Sequence, residues 1–146
     1  MKKVIIIIVL IFPFVLSLSG QTKNKITPVK TSAPANTQTI KRGSAIYNQY
    51  CAACHQANGD GVPGLNPPLS KTEYVLGNKT NLINILLKGL NEELEIDGEI
   101  YSNLMPPLNY LTDQQIADVL SYVRNNFQNK ASIVTPTEVK AVRTKK

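Results

Sequence analysis

The chain has 146 residues, with two Cys, one His, two Met, no Trp and 6% aromatic residues, a length that allows one compact domain with short extensions but not two independent cores. Its formal charge of +6 sits in the ends: residues 1–38 carry five Lys and no acid, and residues 128–146 carry five Lys or Arg against Glu138 alone. Between 39 and 127 six basic residues stand against nine acidic ones, a net −3 with no Lys/Arg stripe interleaved with aromatics, which argues against a nucleic-acid surface.

Lys2 and Lys3 precede an apolar run at 4–16, interrupted only by Pro13, and the small residues Ser17, Ser19 and Gly20 follow. Residues 1–20 therefore read as a secretory signal, cut after Ser19 or, with Leu18 in the less usual place, after Gly20. The run is short of the ~20 apolar residues of a spanning helix. Retention as an uncleaved anchor, with both lysines inside, is the alternative. Either outcome predicts an exported, periplasmic domain, soluble or associated with the membrane through its N-terminus. Residues 21–38, rich in Thr, Lys, Asn, Ala and Pro, cannot offset their ordering entropy by burial and read as a flexible linker.

The domain is predicted over 39–128 and is all-α. Thr39 can cap a first helix with Ile40, Tyr47, Tyr50 and Cys54 at helical spacing and Gly43 one turn before Tyr47. Ser70 with Glu73 makes a capping box for a short helix ending at Gly77, and Thr80 opens another through Leu82, Ile83, Leu86 and Leu87 that stops at Gly89. Only 95–101 suggests extended structure, within an acidic run of Glu92, Glu93, Glu95, Asp97 and Glu99. The clearest helix spans 113–127: Thr112 and Gln115 form a capping box, Leu111 and Ile116 a hydrophobic staple, and Ile116, Val119, Leu120, Val123 and Phe127 a buried stripe. Residues 129–146 form a basic extension in which Thr135, Pro136 and Glu138 start a last short helix. The irregular stretches at 56–69 and 99–111 are long for so small a domain and call for something to wrap.

Cys51-Ala52-Ala53-Cys54-His55 has the C-x-x-C-H spacing of covalent haem attachment, and it contains both cysteines and the sole histidine of the chain. Two thiols at this spacing can reach the two vinyl groups of one porphyrin while the next imidazole turns under the iron. Three other readings compete. A thiol–disulfide motif belongs to a βαβ setting that this sequence does not predict. A zinc site would have to recruit distant carboxylates. A plain disulfide between residues three apart in a helix is sterically poor.

From residue 40 to 127 the chain resembles the class I cytochromes c. That resemblance implies 3–5 short helices wrapped around one haem, with Gly43 and Tyr47 on the first helix meeting Val119 and Tyr122 on the last. It also implies that Pro67, in Pro67-Pro68-Leu69, accepts the Nδ1 proton of His55, fixing the tautomer. For the second axial position elimination points to Met105, since the other Met is the initiator and no second His exists. The resemblance places a ligand Met in such a Met-Pro loop before the last helix. The competing reading is an ordinary gap-filling core methionine.

These readings make the candidate site Cys51, Cys54, His55, Met105 and Pro67, the cofactor one haem c, and the metal iron held by His55 and Met105. With both axial positions filled, no catalytic residue is expected, and the expected function is a one-electron carrier between redox proteins: a dehydrogenase or respiratory complex as donor, an oxidase or other acceptor beyond it. The tail at 134–143 resembles the ending of cytochrome domains that serve quinoprotein dehydrogenases, so a dedicated subunit of a larger oxidoreductase is the second expectation. A haem-based gas sensor, with Met105 displaced, is the third. The acidic run at 92–99 is either a docking patch or a solvated loop.

Overall fold

The first element of the computed structural model, which describes residues 37–145, is helix α1 (Thr37–Tyr50), so the signal or anchor at 1–20 and the linker up to residue 36 lie outside the described residues. Four further helices follow within the predicted domain, α2 (Ala52–His55), α3 (Glu73–Leu76), α4 (Lys79–Lys88) and α5 (Asp113–Val123), and α6 (Pro136–Arg143) lies in the extension. A two-stranded antiparallel hairpin, β1 (Leu94–Ile96) and β2 (Glu99–Tyr101), pairs Leu94 with Tyr101, Glu95 with Ile100 and Ile96 with Glu99. The all-α expectation holds, with this hairpin as the one small sheet among the described residues. Among the described residues no helix is long and apolar enough to cross a membrane.

Local signals set most helix starts, and the departures have identifiable causes. The capping boxes of α5 (Thr112 with Gln115) and α6 (Thr135 with Glu138) are both present. Helix α1 already includes Thr37, so Thr39 lies inside the helix and is not its cap. Ser70 does not cap α3, because Lys71 takes the left-handed region at φ +58° and breaks the path; Thr72 accepts the Val75 N–H instead. Asn78, not Thr80, caps α4, accepting from the Thr80 and Asn81 N–H groups at 2.8 and 3.3 Å. Helix α5 stops at Val123, short of 127, and Phe127 and Gln128 both have positive φ. That turn lays the Phe127 ring 5.1 Å from Tyr47 and 5.7 Å from Tyr122.

The organising contact is α1 across α5. A Cβ at Gly43 would lie against the Asp118 carbonyl oxygen and 2.7 Å from Tyr122 Cβ, so only glycine lets the two backbones meet. Tyr47, fully buried, packs on Tyr122 at 5.4 Å, which makes Asp118 and Tyr122 the residues directly over Gly43, with Val119 buried beside them. Arg42 clamps Asp118 from α1, Nε to Oδ2 at 2.6 Å and Nη2 to Oδ1 at 2.8 Å; the carboxylate is buried, so this bidentate pair also satisfies its lone pairs.

The extension is part of the core. Val134, Val139 and Val142 belong to the same buried cluster as Leu82, Ile83 and Leu120, and α6 packs on α4 and α5. Ser121 Oγ bridges both polar groups of Val134, and Lys79 Nζ donates to Ile133 O at 2.6 Å and Glu138 Oε1 at 2.9 Å. Partial burial pushes the Glu138 carboxyl up, but hydrogen bonds from Lys79 and from the Thr135 N–H and hydroxyl outweigh it and leave it below the ordinary carboxylate range.

Candidate functional site

The end of α1 delivers the C-x-x-C-H segment directly. Cys51 N–H donates to Tyr47 O at 2.8 Å, and the Cys54 and His55 N–H groups return to Cys51 O at 3.1 and 2.9 Å, so Cys51 follows directly on α1 and the rest of the segment is the single turn of α2. Gln56, at φ +64°, leads the chain out of that turn, and the Tyr47 hydroxyl donates to Gln56 O at 2.6 Å. Burial, with smaller contributions from Cys51 and Tyr122, pushes the Tyr47 phenol up, so it remains a donor at any physiological pH. A buried tyrosine thereby braces the residue after His55.

His55 Nδ1 lies 2.9 Å from Pro67 O. A carbonyl can only accept, so Nδ1 carries the proton and Nε2 keeps the lone pair that a metal ion would use. Burial lowers the His55 pKa, partly offset by this hydrogen bond. The Pro67 loop is itself fixed from the far end of the domain. Asn129, buried, accepts from Lys71 N–H at 2.7 Å and donates to Leu69 O and Val123 O, both at 2.8 Å. Arg124, buried at the end of α5, donates to Val75 O and to Ser132 O.

Burial, then the neighbouring Cys54, pushes the Cys51 thiol up to about 11. A dithiol redox motif needs the opposite, a depressed thiol. The two cysteines are not joined to each other, and Cys54 is exposed.

Met105 arrives from the other side of the cavity. Leu90 and Met105 exchange both backbone hydrogen bonds, at 2.9 and 3.0 Å, just after α4 ends at Gly89. Gly89 has φ +73°, and a Cβ there would strike Met105 O, so this residue makes the pairing possible. Pro106 and Pro107 then stiffen the loop until Leu108 N–H reaches Leu86 O at 2.7 Å.

Two adjoining pockets share Cys51, His55, Pro67, Leu90, Leu94 and Met105 as walls. One is completed by Val75, Leu82, Leu86, Val119, Leu120 and Val123, the other by Tyr50, Cys54, Tyr101, Leu104 and Leu108. The lining is largely apolar, Thr72, Asn66, Glu92 and Asn103 aside, and the converging donors are two thiols, one imidazole and one thioether, a set that suits a flat, largely apolar macrocycle with a soft-to-intermediate metal at its centre. Haem fits these residues.

All five residues singled out from sequence meet here. Sequence reasoning missed Tyr47 as the brace of Gln56, the Gly89–Leu90 anchor of the Met105 loop, and Asn129 and Arg124 as anchors of loops around the cavity. Gly89, read only as a helix stop, was the nearest to a signal.

The acidic run stands on the hairpin at the pocket's edge. Leu94 and Ile96 face the cavity, and Glu92, Glu93, Glu95, Asp97 and Glu99 are all exposed. Among the described residues none of the five takes part in an ion pair. The extended structure expected at 95–101 is thus present, shifted to begin at Leu94.

The Cytochrome c family model matches residues 40–127. Cytochrome c-552 of Thermus thermophilus is 37% identical over 113 residues, covering 71% of this chain and 86% of that protein. The cytochrome c subunit of the quinone alcohol dehydrogenase of Gluconacetobacter polyoxogenes is 31% identical over 126 residues, 76% of this chain and 24% of that subunit. The gluconate 2-dehydrogenase cytochrome c subunit of Pantoea cypripedii is 32% identical over 105 residues, 69% and 24%. The chain therefore spans about a quarter of these dehydrogenase subunits and most of the small cytochrome.

Proposed function

The chain belongs to the cytochrome c family, and from that premise we propose an exported carrier that takes one electron from a dehydrogenase or respiratory complex and passes it to a terminal acceptor. It is a mono-haem electron-transfer protein, with haem c bound covalently, and is not itself an enzyme. In our reading Cys51 and Cys54 would hold the haem through thioethers, and His55 Nε2 and the Met105 sulfur would hold its iron. Pro67 holds the imidazole through Nδ1 and raises its basicity. When bound, the haem supplies an iron that cycles between ferric and ferrous states. With haem bound, His55 and Met105 would both hold the iron, the largely apolar walls would keep water away from it, and no position would be left for a substrate. The observation that carries this reading is that Cys51, His55, Pro67 and Met105 line the same apolar cavity.

Export rests on the composition of residues 1–20, with 21–38 as the linker, 39–128 as the cytochrome domain and 129–146 as its extension. Cleavage would release the domain into the periplasm, and retention would tether it to the membrane. A second reading, a dedicated subunit of a larger oxidoreductase, is favoured by the dehydrogenase subunits among its relatives; a stable complex on purification would distinguish it from a free shuttle.

Partners dock, in our reading, where Cys54 is exposed and Leu65 and Leu104 stand 45% and 62% exposed, beside the unpaired hairpin carboxylates. Such a face suits a redox partner with a basic rim and an apolar centre. Stopped-flow mixing of the reduced protein with a basic redox protein tests this. The transfer rate is expected to fall about tenfold as salt rises through the physiological range, and replacing Glu93, Glu95 and Glu99 together with Gln should flatten that dependence. A rate independent of salt in the unaltered protein would contradict the acidic docking face.

A further inference from the structure

The loop that carries Met105 is held at three points, and one of them comes from beyond the part of the chain that matches the family. Its start is fixed by the Leu90–Met105 backbone pair and its middle by Leu108 N–H on Leu86 O. Pro106 and Pro107 have no N–H to offer, so this stretch has few donors of its own with which to secure itself. Its exit into α5 is secured by Arg143, in the last turn of α6. Nη1 donates to Asn109 O at 2.8 Å, Nη2 to Leu111 O at 2.7 Å and Nε to Asp113 Oδ1 at 2.7 Å. Three nitrogens of one rigid fork engage three acceptors within five residues, a geometry that a lysine cannot reproduce. The base of the fork is firm, since Val139 and Val142 on the same helix are buried in the core.

We propose that Arg143 is a positioning residue for Met105: by tying residues 109–113 to α6 it closes the hinge about which the stiff Met-Pro-Pro segment would swing away from the cavity. The proposal rests on the reading of Met105 as an axial ligand. An exogenous ligand can bind the iron only after Met105 has let go, so its binding rate at saturating concentration reports how often the loop opens. The other bonds that dock α6, from Lys79 to Glu138 and Ile133, touch α4 and not this loop. They provide the control.

The test is imidazole binding to the oxidised, haem-loaded full chain, well below its unfolding temperature. Arg143→Ala and Arg143→Lys are each expected to raise the saturating rate about tenfold, the scale of a charge-assisted hydrogen bond, although the lysine keeps a charge opposite Asp113. Glu138→Gln should stay within about twofold of the unaltered protein, as a partly exposed substitution away from the loop does. Amide hydrogen exchange at Leu108 and Leu111 should quicken in the Arg143 variants and not in Glu138→Gln. Unchanged imidazole rates and exchange in Arg143→Ala would overturn the proposal. Equal acceleration by Glu138→Gln would overturn it as well, by tracing the effect to general loosening of α6. If the unaltered oxidised protein lacks a sulfur–iron band, the ligation reading fails, and with it the proposal, even where the exchange data show Arg143 holding the loop.

Discussion

Met105→Ala is expected to yield a folded, coloured protein that has lost the weak near-infrared sulfur–iron band of its oxidised form. Its reduction potential should fall by about 0.1 V or more, within the ~0.8 V over which axial ligands move haem potentials. The direction follows from the ligand: a thioether stabilises the reduced iron, so its loss favours the oxidised state. The loop should survive the change, because it is held by backbone bonds at Leu90 and Leu86 and by the two prolines, none of which involves the Met105 side chain. Met105 is only half-buried, so truncation should cost about 2 kcal/mol or less, the low end for a core Met→Ala. The reduced variant should also bind carbon monoxide, which the unaltered protein should not. Were Met105 a gap-filling core side chain, band and potential would both be unmoved. A redox titration with spectra recorded at each step separates the two.

Gly43→Leu is expected to prevent formation of a stable domain. A Cβ alone would already press on the Asp118 carbonyl and lie 2.7 Å from Tyr122 Cβ, and the first of these is backbone that cannot rotate aside. Relief requires α1 and α5 to separate, which disturbs the Arg42–Asp118 clamp and the Tyr47–Tyr122 contact together. Overpacking costs about 1–3 kcal/mol and occasionally more. With these coupled losses we expect more than about 3 kcal/mol, a large part of the ~5–15 kcal/mol that holds a domain together. Gly43→Ala should lie near the lower figure, about 1–3 kcal/mol. Denaturant unfolding of the haem-loaded proteins measures both, and Gly43→Ala within about 0.5 kcal/mol of the unaltered protein would show that the helices slide apart at little cost.

How much of this was legible in the sequence depended on how far apart the interacting residues lie. The caps of α5 and α6 could be read because a capping box is closed within four residues, and the cysteines and His55 because their geometry is a single turn. Met105 is singled out by elimination, since the chain has so few donor side chains, and the structure places it in the wall of the same cavity as His55. The caps of α3 and α4 were misplaced because Ser70 and Thr80 have the right side chains in the wrong place: Lys71 is left-handed, and Asn78 starts α4 two residues earlier, which puts Thr80 inside the helix. Asn129 and Arg124 were illegible for another reason. Their partners are backbone groups up to 60 residues away, and a backbone carbonyl carries no sequence signature. The docking of the basic extension was likewise hidden, since Val134, Val139 and Val142 look like scattered valines in a polar tail until α4 and α5 are placed beneath them.

The proposed function requires a covalent, six-coordinate haem with no position open to an outside ligand. Its most direct test is the absorption spectrum of the protein matured with haem, recorded oxidised, reduced, and reduced under carbon monoxide. The protein should show sharp low-spin c-type bands that survive denaturing extraction of free haem, a sulfur–iron band in the oxidised form, and no change under carbon monoxide. A high-spin resting spectrum, or one that shifts under carbon monoxide, would contradict it, and a colourless protein would remove the haem assignment altogether.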